Sequence, residues 1–388
     1  MLTTANRKWR EARMVARGLQ SSRHPVLAQI VPIRRCNLAC AYCNEFDNHS
    51  SPVPLDTMLD RIGYLARLGT TTIELSGGEP LLHPELDIII RRIRLHGALA
   101  GLITNGYLLS PKRIERLNDA GLDHLQISID NVTPDETSKK SLKVLDQKLT
   151  MLARHATFSV NVNSVLGGTL RDPEDAVTVA RRAIELGLTA TVGLIHNGRG
   201  ELVPLSPGQV RAYEEIARMT APFYSVQNQN DFQRNLAHGR RNVWQCGAGG
   251  RYLYVCEDGL VHWCSQQRGH PGIPLADYTT ADVEREAGTA KSCALLDRLR
   301  VRLLETLDEM LPSDARAPLS VRTLRWMFLT SRHRDRFRSL AARLLGSSRG
   351  YPDAQRFKLF FGTRSGRRRV PGAPQMMGRP ARLESTGS

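Results

Sequence analysis

Three cysteines of the 388-residue chain lie within eight residues, in the segment Cys36-Asn-Leu-Ala-Cys40-Ala-Tyr-Cys43. Thiolates on a short loop are the usual ligands of iron–sulfur clusters, which normally take four of them. No fourth cysteine follows nearby, so a cubane held here keeps one iron open, and a catalytic metal site needs such an open position. Zinc is the alternative, with His49 as the only local candidate for a fourth ligand.

A second motif follows a short β-branched segment that predicts a strand at 71–75. Its residues are Ser76, Gly77, Gly78, Glu79 and Pro80. The two glycines permit positive φ and close backbone approach, and Glu79 offers a carboxylate to a ligand ammonium. Further polar or small residues end or follow the later predicted strands: Asn105, Ser128, Asp130, Asn163 and Gly193.

These motifs resemble the radical S-adenosylmethionine (SAM) superfamily over residues 28–200. The hallmark of that family is Cys-x3-Cys-x2-Cys with an aromatic residue, here Tyr42, before the last cysteine; a Gly-Gly-Glu-Pro turn follows about 35 residues later. The resemblance implies a [4Fe-4S] cluster on Cys36, Cys40 and Cys43. It also implies that SAM chelates the open iron and that its reductive cleavage gives a 5′-deoxyadenosyl radical, which abstracts hydrogen from a substrate.

The same resemblance implies contacts to SAM from residues on several strands. They are Tyr42, Ser76, Gly77, Gly78, Glu79, Pro80, Asn105, Ser128, Asp130, Asn163 and Gly193. For Ser128, Asp130 and Asn163, capping of a strand end is the alternative interpretation.

Alternating strand and helix patterns predict the element that positions these residues. About six strand–helix units fill residues 28–195, starting with a strand at 28–33 and ending with one at 189–195. Such alternation predicts an α/β fold with a parallel sheet, and six units fall short of a complete eight-fold barrel. We therefore expect a partial (β/α)6 TIM-like barrel, whose chemistry gathers beyond the carboxyl ends of its strands.

The other four cysteines lie in the second half of the chain. Cys246 and Cys264 flank a predicted β-hairpin, Cys256 lies within it, and Cys293 follows. This outline resembles the SPASM or twitch auxiliary domain, although the dense cysteine run of SPASM domains is missing. The resemblance implies one auxiliary cluster on Cys246, Cys264 and Cys293, with Cys256 or a non-cysteine residue as fourth ligand. A degenerate domain without a cluster is the alternative. For Cys256 itself, the alternative to a ligand is a place in the core as a small apolar residue.

Positive charge is concentrated near the end of the chain. The formal net charge is +16, and residues 297–388 hold 20 Arg and Lys against 8 Asp and Glu. A basic segment of this kind suits an anionic surface, either nucleic acid or lipid headgroups, or is simply solvated. The chain has neither an apolar run of about 18 residues nor a secretory signal. We therefore expect a cytoplasmic protein, with peripheral contact to a membrane as a variant of that expectation.

The predicted domains follow from these patterns. They are a basic N-terminal helix or arm (1–24), the barrel (25–205), connecting helices (206–243), the auxiliary domain (244–295), a basic helical extension (296–363) and a disordered tail (364–388).

Three classes of function compete. The first is a radical SAM enzyme acting on a peptide, a cofactor precursor or a lipid, with flavodoxin or ferredoxin as reductant. The second is an RNA-modifying enzyme, which the basic tail favours although no aromatic stacking motif accompanies it. The third is a non-catalytic metal-cluster scaffold.

Overall fold

The structure is a computed structural model, and it describes residues 2–21, 23–168, 172–195, 203–220, 230–240, 246–289 and 291. All of these residues belong to the first of the two compact units of the chain, Met1–Leu340. The predicted extension (296–363), the predicted tail (364–388) and Cys293 lie outside the described residues.

Six parallel strands, each followed by a helix, form the barrel. The strands are β1 (Leu27–Ile33), β2 (Thr72–Gly77), β3 (Leu99–Thr104), β4 (His124–Ser128), β5 (Ser159–Leu166) and β6 (Thr189–Leu194). The helices are α1 (Leu2–Gln20), α2 (Leu55–Arg67), α3 (Leu86–Leu95), α4 (Pro111–Ala120), α5 (Leu142–His155), α6 (Pro173–Glu185), α7 (Pro207–Thr220) and α8 (Asn230–Ala237). The strands stand in sequence order from β6 to β1, and the predicted partial (β/α)6 barrel is confirmed.

The period-2 pattern of the strands separates two faces of the sheet. On the convex face, side chains such as Ile73, Leu102 and Val162 are fully buried against helix residues such as Ile62 and Ile89. Burial of these apolar side chains is the main stabilising contribution to the barrel. The alternate residues point to the concave face and are largely polar, which leaves that face for ligands.

Side-chain caps fix where the helices begin, and thereby the lengths of the loops at the carboxyl edge. The Ser110 hydroxyl accepts a hydrogen bond from the Arg113 amide at 3.2 Å before α4. Asp172 accepts one from the Glu174 amide at 2.9 Å before α6. Such caps typically contribute about 1 kcal/mol each.

A second group of elements follows the barrel. It comprises β7 (Tyr252–Val255), β8 (Leu260–His262), β9 (Pro271–Pro274) and α9 (Thr280–Gly288). The predicted hairpin is present as β7 and β8, and β9 is an additional strand. The sequence favours a separate hairpin, but β7 pairs in parallel with β1, for example Ala28 with Leu253, so the hairpin extends the barrel sheet.

Helix α1 lies across the amino ends of the strands. Arg10 of α1 forms an ion pair with the buried carboxylate of Asp123. The same carboxylate lies 3.1 Å from the Arg94 guanidinium and accepts a hydrogen bond from the Ala100 amide at 3.0 Å. The amino edge is therefore closed by α1, and ligands have the opposite, carboxyl edge. Within the described part of the chain, every helix is too short or too polar to traverse a bilayer.

Candidate functional site at the carboxyl edge of the barrel

The cysteine loop leaves the carboxyl end of β1 and is fixed by backbone hydrogen bonds at both ends. The Cys36 amide donates to the Asp47 carbonyl at 2.9 Å, and the Ala41 amide donates to the Thr137 carbonyl at 2.9 Å. The Cys43 amide donates to the Cys40 carbonyl at 3.0 Å. The loop is therefore an ordered element held between its own base and the segment that follows β4.

None of the three loop cysteines forms a disulfide, and two of their sulfurs have polar neighbours. The Cys36 sulfur accepts from the Leu38 amide at 3.4 Å and from the Asn105 side-chain amide at 3.6 Å. The Cys40 sulfur lies 3.5 Å from the Ser138 hydroxyl. Burial raises the pKa of the Cys36 and Cys43 thiols, so their ionised form requires a compensating cation.

The Gly77–Gly78 turn packs directly on the start of the cysteine loop. Gly77 has φ of +114°, and a Cβ added there would lie 2.5 Å from Val31 Cγ1. A Cβ on Gly78 would overlap the Arg34 carbonyl oxygen. Both positions therefore require glycine, because the turn must approach the β1 backbone closely enough to bring Ser76–Pro80 beside the cysteines.

Glu79 is fully buried, and both of its carboxylate oxygens accept hydrogen bonds from other groups of the protein. Oε1 accepts from the Thr104 hydroxyl at 2.8 Å and from the Leu81 amide at 3.0 Å. Oε2 accepts from the Asn105 amide at 2.8 Å. Burial raises the pKa of Glu79, although these donors oppose the rise. The predicted contact of Glu79 with a ligand ammonium stays a prediction; in the structure the carboxylate joins the loops after β2 and β3.

A group of three polar side chains lies behind the cysteine loop, with Asp130 buried and Tyr42 and Lys140 partly buried. The Tyr42 hydroxyl donates to Asp130 Oδ2 at 2.5 Å. The Lys140 ammonium donates to the Tyr42 oxygen at 2.6 Å and lies 3.2 Å from Asp130 Oδ2. Burial and the Asp130 charge raise the pKa of Tyr42. The pKa of Lys140 is also raised, because Asp130 and the nearby thiols outweigh the effect of burial.

Tyr42 and Asp130 are predictable from the sequence, whereas Lys140 is not. Lys140 sits in the connection between β4 and α5, next to the exposed Lys139, and no local pattern separates the two. Only its contact with Tyr42, 98 residues away, marks it. We name these three residues the Tyr42–Asp130–Lys140 cluster.

The remaining predicted residues line the concave face or its rim. Ser128 pairs with Asn163 across β4 and β5. The Asn163 side-chain oxygen accepts from the Thr191 hydroxyl at 2.8 Å. A Cβ on Gly193 would lie 3.4 Å from Asn163 Nδ2, so the missing side chain leaves that amide accessible. The Ser76 hydroxyl is buried, and the described residues give it no hydrogen-bond partner.

The hairpin contacts the cysteine loop from its other side. The Arg34 guanidinium lies 3.2 Å from the Glu257 carboxylate and donates to the Asn44 carbonyl at 3.1 Å. The Asn44 side-chain amide donates to Gln266 at 3.2 Å. These contacts place the segment that contains Cys264 next to the loop that contains Cys43.

The cysteines of the hairpin region differ in their surroundings. Cys246 and Cys264 are half-buried. Cys256 is buried against Val31 and Tyr254, and burial raises its pKa to about 11. Cys256 thus has the environment of a small apolar core residue, which is the second of the two roles considered for it. The predicted third ligand, Cys293, lies outside the described residues.

One further group brings three ligand atoms together: Cys256, Asp258 and His262, all within 4.8 Å of one another. His262 Nδ1, however, accepts a hydrogen bond from the Gly269 amide at 2.9 Å. A neutral imidazole that accepts at Nδ1 holds its proton on Nε2. The nitrogen facing Asp258 is then a donor, so this group is unsuited to bind a metal ion.

The family comparison agrees with this fold and this arrangement of cysteines. Residues 30–202 match the model of the Radical SAM superfamily. The match covers less than half of the chain, and this segment is similar to the domains of that superfamily.

Several curated proteins match parts of the chain. PqqA peptide cyclase of Ruegeria pomeroyi is 40% identical over 104 residues, covering 26% of this chain and 28% of that protein. GTP 3′,8-cyclase of a Synechococcus strain is 34% identical over 175 residues, covering 40% and 50%. AdoMet-dependent heme synthase of Methanosarcina barkeri is 31% identical over 208 residues, covering 51% and 57%. The chain thus spans between about a quarter and three-fifths of these relatives.

A solved structure shares the fold beyond the barrel. Streptococcus suis SuiB bound to the precursor peptide SuiA superposes with a TM-score of 0.51, over 74% of this chain and 73% of that chain, at 13% identity. At this identity the likeness concerns the fold alone.

Proposed function

We propose that the protein is a radical SAM enzyme that holds a [4Fe-4S] cluster on Cys36, Cys40 and Cys43 and cleaves SAM reductively to start hydrogen abstraction from an organic substrate. The observation that carries the proposal is the placement of three free thiols at the carboxyl end of β1, beside the Gly77–Gly78 turn and the polar rim of the barrel.

The residues present fit the cluster and SAM on two counts. Amide donors from Leu38 and Asn105 point at the Cys36 sulfur, as expected of a thiolate ligand, and hydrogen bonds to cluster sulfurs tune reduction potentials. The Ser76 hydroxyl and Asp130 Oδ1 are buried, and neither atom has a partner among the described residues. Buried polar atoms without partners are costly, and a polar ligand at this rim would satisfy them.

Each group of residues has a distinct role in this proposal. Cys36, Cys40 and Cys43 ligate the cluster, which supplies, when bound and reduced, the electron that breaks a C–S bond of SAM. Ser76, Asn105, Ser128, Asp130 and Asn163 orient SAM at the rim. Glu79 holds the loops after β2 and β3 together, and Lys140 holds Asp130 and Tyr42 in place behind the cysteines.

A peptide is the substrate class that the relatives favour. One relative is named a peptide cyclase and the SuiB structure contains a precursor peptide. GTP 3′,8-cyclase and heme synthase are named for other molecules. The names of the relatives alone therefore leave the substrate class open.

We extend the proposal to the second cysteine region. Cys246, Cys264 and Cys293 bind an auxiliary cluster, for which the contact of Asn44 with Gln266 would give a short link to the first site. Cys256 is left out, because it is buried in the core.

Replacement of one loop cysteine tests the first site. Anaerobically reconstituted Cys40→Ala should lose about four irons and all formation of 5′-deoxyadenosine from SAM under dithionite. Cys256→Ala is the matched control, because it removes a core cysteine and should keep that iron. Full SAM cleavage by Cys40→Ala, or zinc instead of iron in the wild-type protein, would contradict the proposal.

A further inference from the structure

A carboxyl group lies at the middle of the concave face of the barrel, below the rim. Glu74 of β2 pairs in register with Gln29 of β1 and Gly101 of β3. Two residues further along β2 comes Ser76, at the rim, so Glu74 lies about 7 Å deeper along the strand. Glu74 is not among the residues proposed to bind the cluster or SAM.

Neutral side chains hold Glu74 in position. The Gln29 amide donates to Glu74 Oε2 at 3.0 Å. The Tyr252 hydroxyl of β7 in turn donates to the Gln29 side-chain oxygen, which leaves the Gln29 NH2 group to face Glu74. A Cβ on Gly101 would lie only 3.2 Å from Glu74 Cγ and 3.4 Å from Oε1. The absence of a side chain there gives the carboxyl its room.

Glu74 has no cationic partner in the part of the chain that the structure describes. No ion pair there includes it, and its one side-chain donor is the neutral Gln29. The far half of the concave face is neutral as well: the Asn161 amide donates to Gln126 at 3.3 Å and to the Thr191 hydroxyl at 2.7 Å. Burial raises the pKa of Glu74 to about 7, which reflects the missing counter-charge.

The Glu74 side chain is only half-buried, so the concave face gives access to it. A carboxylate that is partly removed from water and has no cation nearby is less stable than a fully solvated one, and a ligand that brings the cation removes that cost. An anionic ligand group would instead meet repulsion at this point. At the middle of the barrel, a cationic ligand group is therefore favoured over an anionic one.

We propose that Glu74, oriented by Gln29, binds a cationic nitrogen of the substrate, such as a primary ammonium group, at the centre of the barrel. The inference rests on the proposed function and narrows its substrate class. It favours an amine-bearing molecule, such as a peptide with a basic group, over a triphosphate or a polycarboxylate at this depth.

The test uses the reconstituted holoenzyme with SAM and three probes of matched size: n-butylammonium, n-butanol and n-butyrate. A probe that binds the folded protein raises the melting temperature in proportion to its occupancy. Butylammonium alone should raise the melting temperature of the wild-type protein. In Glu74→Gln its apparent affinity should fall at least about tenfold, which corresponds to about 1.4 kcal/mol.

Two further variants keep the result interpretable. Glu74→Asp retains the charge and should retain the preference for butylammonium over butanol, even if Glu74→Gln folds poorly. Glu115→Gln removes an exposed carboxyl on α4 and should respond as the wild-type protein does. Equal responses of wild type and Glu74→Gln, no specific response to butylammonium, or a stronger response to butyrate would each overturn the inference. Formation of 5′-deoxyadenosine by the wild-type protein, measured in parallel, tests the proposed function separately.

Discussion

The Tyr42 hydroxyl donates to Asp130 Oδ2 at 2.5 Å, and this bond links the cysteine loop to the segment after β4. Lys140 completes the link, since its ammonium contacts both partners. A charged pair removed from water is stable only while both charges are present. The alignment of the cysteine loop therefore depends on a lysine that is distant from it in sequence.

Removal of the Lys140 charge should be costly. Lys140→Met leaves the buried Asp130 carboxylate unpaired and should lower the free energy of unfolding by about 3–5 kcal/mol. Tyr42→Phe removes one hydrogen bond but keeps the ion pair, and should cost about 1–2 kcal/mol. Anaerobic denaturant titration measures both values. Lys139→Met, an exposed neighbour, should stay within about 0.5 kcal/mol of wild type; a similar loss in Lys139→Met would refute the role assigned to the buried cluster.

Substitution of Glu79 should weaken the contact between the loops after β2 and β3 without lowering the iron content. In Glu79→Gln the amide NH2 must face a backbone or hydroxyl donor, because both carboxylate oxygens accept hydrogen bonds. We expect a loss of about 1–3 kcal/mol in unfolding free energy and weaker SAM binding by equilibrium dialysis, with iron retained. If Glu79→Gln bound SAM with unchanged affinity, the loops that it joins would not be part of the SAM site.

Glu74 should make stability depend on pH. Burial raises its pKa to about 7 from an ordinary value of 4.5, so the folded state holds the proton more tightly than the unfolded chain does. Stability from this group is complete below pH 4.5 and falls as the pH rises to about 7, by at most about 3 kcal/mol. Because Gln does not titrate, the unfolding free energies of wild type and Glu74→Gln should be closest below pH 4.5, and wild type should lose stability relative to Glu74→Gln as the pH rises to about 7. A constant difference between them would show that Glu74 titrates normally.

The proposed auxiliary cluster leads to a separate prediction. Cys264→Ala should lower the iron content of the reconstituted protein by about the content of one cluster while SAM cleavage at the first site persists. Iron analysis and Mössbauer spectra distinguish the two sites. An unchanged iron content in Cys264→Ala would leave the hairpin as a degenerate domain without a cluster.

The barrel was predictable because its signals are local. Alternation of apolar residues, Pro111 at the start of α4 and Asp172 before α6 fix the elements one at a time. The position of β7 beside β1 was not predictable in this way, since the pairing joins residues more than 200 positions apart. A hairpin sequence specifies its own turn but carries no information about which sheet edge it will join.

The residues of the candidate site also differ in how well the sequence predicts them. Cys36, Cys40, Cys43 and the two glycines are recognisable by spacing. The inward orientation of Glu79 was not, because a carboxylate in a Gly-Gly-Glu-Pro turn has the same sequence whether it faces a ligand or the Thr104 hydroxyl. Lys140 and Glu74 were missed for a related reason: each is distinguished by a partner from another strand or loop and not by its neighbours in the chain.

The parallel pairing of β7 with β1 also bears on how this protein can move. Strand β1 leads directly into Cys36, and the same strand pairs with the start of the hairpin. A hinge between barrel and hairpin would have to break this ladder, so the strand that leads into Cys36 and the first strand of the hairpin move together.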